Sequence, residues 1–406
     1  MLPEKLQRIL AQLSSMPSIQ VLTNKSNVYI VGGSIRDSFL DKPIKDLDIV
    51  VEGLTLEEIQ KLLWPYGDVN EVGESFAVIK FKPKGWQGEA LDIAIPRTDK
   101  KIGKGHKGFE VVTKDVTIIE DLKRRDFTIN SIAVNIKSEE IIDPFNGVQD
   151  IKKKLIKATN PQAFIEDPLR MMRAIQFSAR FNFDIDLTTK IQIAHNCMLL
   201  KEISGERILE ELNKVLYNAG DTQLTLRLLY ETDLDKGLFG KKFISNDFSE
   251  FSDLDPVSFY FILCTLGDKT PSEFYPIRLR GTAEITKALQ TLEKSFDKLS
   301  GKDIKWNVFQ MIRSSSLLVN AKVLPPKVKK VITQMKEGNI PMEIGSIPVN
   351  GDDVIEAGKD NLSGPQIGEI LVKLYKDALD NKFDWHNREP ALSYMNNIVQ
   401  TFLTKS

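Results

Sequence analysis

The sequence predicts an α+β protein: a small mixed α/β head of about 145 residues, then an all-helical remainder. Two observations carry this. Short apolar, strand-like runs alternate with short helical stretches up to about residue 145, whereas from about 160 onward nearly everything has helical period. At 406 residues the chain also exceeds what one hydrophobic core usually serves, so several domains are expected.

The elements follow in order. Residues 4–14 (EKLQRILAQLS) have helical periodicity; 27–31 read as a strand, 33–40 as a short helix and 46–51 as a second strand. Residues 55–65 read as a helix with Thr55 at its cap. Runs at 76–82 and 89–95 read as neighbouring strands split by the turn-rich PKGWQG. The basic, glycine-rich 98–108 segment (TDKKIGKGHKG) is expected to be a mobile loop. Residues 131–136 and 140–142 suggest a hairpin-like pair. Helices are expected over 161–182, 188–199, 204–218 and 222–231, with prolines at 256, 271, 276, 325 and 326 punctuating more of them.

Composition narrows the function classes. Hydrophobic content of 42% and charged content of 27% are ordinary for a globular protein. The net charge of -1 means that a nucleic-acid partner must be met by local basic patches, such as Lys152-Lys153-Lys154, Lys157 and the segment at 322–330. Apolar runs fall short of a membrane span, and the N-terminus lacks a signal-peptide core. Two cysteines cannot build a disulfide framework, so a cytoplasmic protein is expected. The three histidines have no partner at metal-ligand spacing, which argues against a zinc site.

The chemistry-bearing pattern begins at YIVGGSIRDSFLDKPIKDLDIVVEG, residues 29–53. Asp46 and Asp48 are two apart in an expected strand and therefore share a face. Paired carboxylates repel unless a cation lies between them, and oxygen ligands suit Mg²⁺. Asp92 in ALDIAI offers a third acid, enough to hold two metal ions for nucleotidyl or phosphoryl transfer. Exposed edge-strand acids are the competing reading. Gly32-Gly33 between strand and helix allows phosphate oxygens to approach the backbone, with Arg36 one turn on, although a tight turn explains the glycines equally well.

Downstream, EDLKRRDFTINSIAVN (120–135) carries Arg124, Arg125 and Asp126, which in isolation read as a charged helix end. In FIEDPLRMMRAIQFSARFNF (164–183), Asp167-Pro168 reads as a helix start, with Asp167 near the N-cap and Pro168 at the first position. Asp167 and Arg170 share a face, and Arg173 extends it. An ion pair between residues three apart explains this spacing. So does base reading: a carboxylate accepting the exocyclic amine and a guanidinium donating to the ring nitrogen would select cytosine and adenine.

Taken together, GGSIRDSFL…KDLDIVVEG, EDLKRRDFTINSIA, EDPLRMMRAIQFSARF and SGERILEELNKVL resemble, in order and spacing, class II tRNA nucleotidyltransferases (CCA-adding enzymes) and bacterial poly(A) polymerases. Both belong to the DNA polymerase β nucleotidyltransferase superfamily. The motifs cover about residues 28–215, and IPVNGDDVIEAGKDNLSGPQIGEILVKLYKDAL is similar to the family's tail segment. Residues 220–335 carry no matching motif.

The resemblance implies a nucleotidyltransferase head (1–145), a neck (146–218), a body (219–335) and a tRNA-binding tail (336–406). It implies Asp46, Asp48 and Asp92 as the catalytic, Mg²⁺-binding acids. Gly32, Gly33, Arg36, Arg124, Arg125, Asp126 and Asn130 would hold triphosphate and ribose. Asp167 and Arg170 would read C or A, supported by Arg173, with Glu206 and Arg207 bracing from the next helix. The implied activity is template-independent addition of C, C and A to the tRNA 3′ end from CTP and ATP. Poly(A) synthesis, CC-only or A-only addition, and a non-catalytic RNA-binding role are the alternatives. Two departures stand out: Val50-Val51-Glu52 where the family often has a threonine, and Gln176 where many members have an arginine.

Overall fold

The computed structural model describes residues 2–44, 46–71, 78–101, 109–218, 220–300, 303–359 and 361–404. The chain divides into two compact units, residues 1–252 and 253–406.

The first unit opens with helices α1 (Glu4–Ser15) and α2 (Pro17–Thr23). Strand β1 (Asn27–Val31), α3 (Gly33–Phe39), β2 (Asp48–Glu52) and α4 (Leu56–Leu63) follow. Next come β3 (Gly67–Glu71), β4 (Val78–Pro83), β5 (Leu91–Ala94), β6 (Thr98–Lys101) and β7 (Phe109–Val112). The head closes with α5 (Ile118–Lys123), β8 (Ala133–Asn135) and β9 (Ile141–Ile142).

Seven strands form one sheet in the order β3-β4-β5-β2-β1-β8-β9. Only β2 and β5 run parallel; the other neighbours are antiparallel. The inner strands are the most apolar, as burial on both faces demands. Val28, Ile30, Val31, Ile49 and Val51 are essentially inaccessible. Tyr29, Val31 and Val50 pack against Ile118, Leu122 and Ala133. Both α4 and α5 start with a capping box, Thr55–Glu58 and Thr117–Glu120, which satisfies the free amides of helices only eight and six residues long.

Beyond the sheet lie α6 (Gly147–Lys152), β10 (Leu155–Ile156), α7 (Ala163–Glu166), α8 (Leu169–Phe181), β11 (Asp184–Ile185) and α9 (Leu187–Asn196). Helices α10 (Gly205–Tyr217), α11 (Thr222–Glu231) and α12 (Leu234–Phe239) complete the unit, with α8 packed on α10 and α11. In the second unit the named elements are helical: α13 (Pro256–Leu266), α14 (Pro271–Arg278), α15 (Ala283–Phe296), α16 (Ile304–Ser314) and α17 (Pro326–Lys336). The last three are α18 (Gly351–Gly358), α19 (Gly364–Leu379) and α20 (Arg388–Leu403). Among the described residues, no helix is long and apolar enough to cross a membrane.

The sequence expectations need four corrections. Strand β2 begins at Asp48, so Asp46 lies outside it. Residues 98–101 are strand rather than loop, because Thr98–Lys101 pairs with Phe109–Val112; residues 102–108 lie outside the described residues. The helix expected over 161–182 is two helices broken at Asp167, whose backbone is extended as the residue before a proline must tend to be. Pro168 is consequently the cap of α8, and Leu169 its first residue. Strand β3 (GDVNE) escaped the reading because its composition is that of a turn.

Candidate active site

The end of β1 leads into the glycine turn. Gly32 has φ of 73°, a left-handed conformation that favours glycine, and a Cβ there would lie 2.7 Å from Arg125 Nη1. The turn therefore leaves room for an arginine. Arg36, one turn into α3, is buried; its Nη1 donates to Asn130 Oδ1 (2.6 Å) and its Nε to Asp37 Oδ1 (2.9 Å). Its guanidinium also lies over the rings of Phe177 and Phe181, at 5.3 and 4.8 Å.

The acids occupy one corner of the sheet. Asp48 opens β2, and its register partners are Val31 on β1 and Asp92 on β5. Burial among neighbouring groups pushes the Asp48 carboxyl up, Arg125 pulls it down, and Asp92 and Asp46 push it up again. The side chain reaches solvent at the mouth of a cavity yet feels both other acids. Asp92 accepts Lys80 Nζ at 2.7 Å, so it already has a counter-charge. Among the described residues, no three His, Cys, Asp or Glu side chains are gathered to hold a metal ion. By donor chemistry Asp46 and Asp48 fit a hard divalent cation, whereas Asp92 would first have to leave Lys80.

Helix α5 supplies the cationic wall. Buried Asp121 binds both arginines of the RRD motif. Its Oδ1 accepts Arg124 Nε and Nη2 (3.0 and 2.7 Å), and its Oδ2 accepts Arg125 Nε and Nη2 (3.2 and 3.1 Å). Burial pushes the Asp121 carboxyl up, but the two guanidiniums outweigh it and hold it below its ordinary value. Sequence reasoning missed this residue; an acid three and four positions before two arginines in a capped helix was the available signal.

Asp126 is the hub behind that wall. Its Oδ1 accepts the Phe127 amide (2.8 Å) and Asn130 Nδ2 (3.0 Å), while its Oδ2 accepts Arg173 Nε (2.8 Å) and Nη2 (2.7 Å). Burial again pushes this carboxyl up, and Arg173, helped by the Asn130 hydrogen bond, brings it below normal.

Asp167 and Arg170 do not pair with each other in the hydrogen-bonded sense that their spacing invites. Arg170 Nη1 donates to Glu166 Oε2 (3.2 Å), and its Nη2 to the Arg124 carbonyl (2.6 Å). Asp167 Oδ1 accepts the Leu169 amide (3.2 Å), and Oδ2 accepts Arg207 Nη2 from α10 (3.3 Å). The expected brace from Arg207 is thus present.

These groups line one cavity of about 490 Å³. Of the residues singled out from the sequence, Gly33, Arg36, Asp48, Arg124, Arg125, Asp126, Asn130, Asp167, Arg170 and Arg173 meet there. Gly32, Asp46 and Asp92 do not line it. Leu169, Phe177 and Arg207 complete the lining. Six arginines facing so small a volume suit a polyanion, and the acid corner at the mouth suits the reacting end of one.

Comparison with known proteins gives the arrangement a family. Residues 28–157 match the poly A polymerase head domain, and residues 182–244 match the probable RNA and SrmB-binding site of polymerase A. The chain is 28% identical over 399 residues to the CCA-adding enzyme of Lactobacillus delbrueckii subsp. bulgaricus, covering 93% of this chain and 96% of that protein. Its fold is shared with the Bacillus stearothermophilus CCA-adding enzyme in complex with CTP (TM-score 0.70, 22% identity, 99% of this chain and 100% of that one). The Thermotoga maritima CCA-adding enzyme complexed with tRNA is equally similar (TM-score 0.69, 24% identity, 98% and 95%). The chain thus carries a poly A polymerase head domain and a probable RNA-binding region of polymerase A, and is similar to CCA-adding enzymes along almost its whole length.

Proposed function

We propose that this protein adds C, C and A to the 3′ end of tRNA from CTP and ATP without a nucleic-acid template. The observation that carries the reading is the cavity lined together by a cationic wall, Asp48, Asp167 and Arg170. Likeness to CCA-adding enzymes along almost the whole chain supports tRNA as the acceptor.

The residues divide the work. Arg36, Arg124 and Arg125 neutralise the triphosphate, and their pre-existing partners, Asn130 and Asp121, hold them in place before it arrives. Asp126 and Asn130 face the ribose. Asp167 and Arg170 read the base: the carboxylate accepts the amine that cytosine and adenine share, and the guanidinium donates to the adjacent ring nitrogen. Asp46 and Asp48, with Asp92 as a third acid, would hold Mg²⁺, which when bound lowers the cost of charge on the 3′-oxygen and on the α-phosphate. The 3′-hydroxyl then attacks that phosphorus and pyrophosphate leaves. Exposed Lys152, Lys153, Lys154 and Lys157 offer a surface for the RNA backbone. The division into head 1–145, neck 146–218, body 219–335 and tail 336–406 remains part of this proposal.

The test is direct. tRNA ending at the discriminator base, at C and at CC is offered labelled CTP or ATP separately. Two C additions followed by one A support the reading. Long A tails on arbitrary RNA indicate a poly(A) polymerase, and C-only or A-only addition indicates a partial enzyme.

A further inference from the structure

Asp126 has no acceptor capacity left. A carboxylate offers about four lone-pair sites, and its two oxygens already accept from the Phe127 amide, Asn130 and twice from Arg173. A hydroxyl donor entering the cavity must therefore displace one of these. Asn130 is tethered on its other side by Arg36, and the Phe127 amide is backbone. Arg173 is the donor free to move: its side chain is one-third exposed, and a second acid stands beside it.

That acid is Glu211 on α10. It is 2% exposed. Its Oε1 accepts Lys214 Nζ at 2.7 Å and lies 4.0 Å from Arg173 Nη1, while its buried Oε2 has no hydrogen-bond partner. An incompletely satisfied buried carboxylate is costly to keep. The 4.0 Å gap is roughly 1 Å longer than a charge-assisted hydrogen bond.

We propose that Glu211 is a positioning residue: it receives the Arg173 guanidinium when a nucleotide hydroxyl engages Asp126. The cation then has two resting places, and the displaced position leaves no buried charge without a partner. This deepens the proposed function and rests on a nucleotide occupying the cavity. Because CTP and ATP share the same ribose hydroxyls, the effect is common to both and separate from base reading by Asp167 and Arg170.

The experiment measures KM, kcat, equilibrium binding of CTP and of ATP, and Tm for wild type, E211Q, R173K, the double variant and K214M. E211Q should raise both KM values about tenfold, the margin of a charge-assisted over a neutral hydrogen bond. Its kcat should stay within about twofold, and its Tm should be equal or higher because a buried charge is gone. The double variant should lose nothing beyond R173K, as residues acting through one contact do. K214M removes a half-exposed partner and should fold whatever E211Q does. Freeing Oε1 for Arg173 should lower both KM values about threefold. Unchanged KM values in E211Q, or lower kcat and Tm at constant KM, would overturn the inference in favour of a helix-packing role. A K214M enzyme with unchanged or raised KM would overturn it too. A wild type that binds neither nucleotide removes the functional reading as well, whereas a wild type that binds both while E211Q binds equally removes only Glu211.

Discussion

Two regions of the site treat their carboxylates in opposite ways. Asp121 and Asp126 are buried, each holds guanidinium groups at hydrogen-bond distance, and both are kept below the ordinary carboxylate range. Asp48 stands at the mouth; burial and two neighbouring acids push it up. The first pair spends its charge inside the protein, fixing arginines in advance of a ligand. At Asp48, Arg125 pulls the carboxyl down, but burial and the neighbouring acids outweigh it. The buried carboxylates are thus satisfied within the protein, while Asp48 is pushed up by burial and like charge, and pKa values driven apart in this way are common at reactive sites.

This contrast can be broken at either end. The largest effect is expected for Asp48→Ala. Labelled CTP incorporation should fall by about a thousandfold or more, while Tm holds or rises because like charges are relieved. Retained turnover would remove Asp48 from the reacting centre. Asp121→Ala acts the other way: it leaves two guanidiniums facing each other without their acid and should cost about 3–5 kcal/mol in urea unfolding. A loss below 1 kcal/mol would mean that Arg124 and Arg125 are held by something else.

Acid should reproduce that loss gradually. Because Asp121 and Asp126 are depressed when folded, the stability they contribute is complete above the unfolded carboxylate value of about 3.9 and disappears as pH falls through their lower folded values. Tm plotted against pH should therefore drop most steeply below about pH 4, and Asp121→Asn should flatten that limb. Arg170→Ala should shift the ratio of C to A incorporation about tenfold with a smaller change in total turnover; an unaltered ratio would leave base reading to other residues. The smallest change is expected at the cap that supports the arginine wall. Thr117→Ala removes the α5 capping box and should cost about 1 kcal/mol in the same urea assay.

The legible part of this protein was what depends on local pattern. The strand–glycine–helix start at residues 27–39, the helix opening after Pro168 and the helical run beyond were readable because periodicity, caps and prolines act over a few neighbours. The resemblance of several motifs in order, rather than any one spacing, named most of the residues that meet in one cavity; in isolation Arg124, Arg125 and Asp126 read as a charged helix end. The pairings were not legible. Asp167 and Arg170 looked like partners, yet Arg207 and the Arg124 carbonyl claim them. Asp92 looked like a free third acid, yet the antiparallel register of β4 and β5 sets Lys80 against it. Phe177, which no motif singled out, forms cavity wall beneath Arg36.

The sequence by itself determined the inventory: an α/β head, helices after it, acids two apart, glycines at a turn, arginines in clusters. Tertiary structure alone decided which charges are spent on one another and which remain for a ligand. The physical reason is that an ion pair is set by distances of 3–4 Å between atoms up to dozens of residues apart in the chain, as in Arg173–Asp126 and Arg207–Asp167. Sheet register and helix packing fix those distances, and neither is written in any single motif.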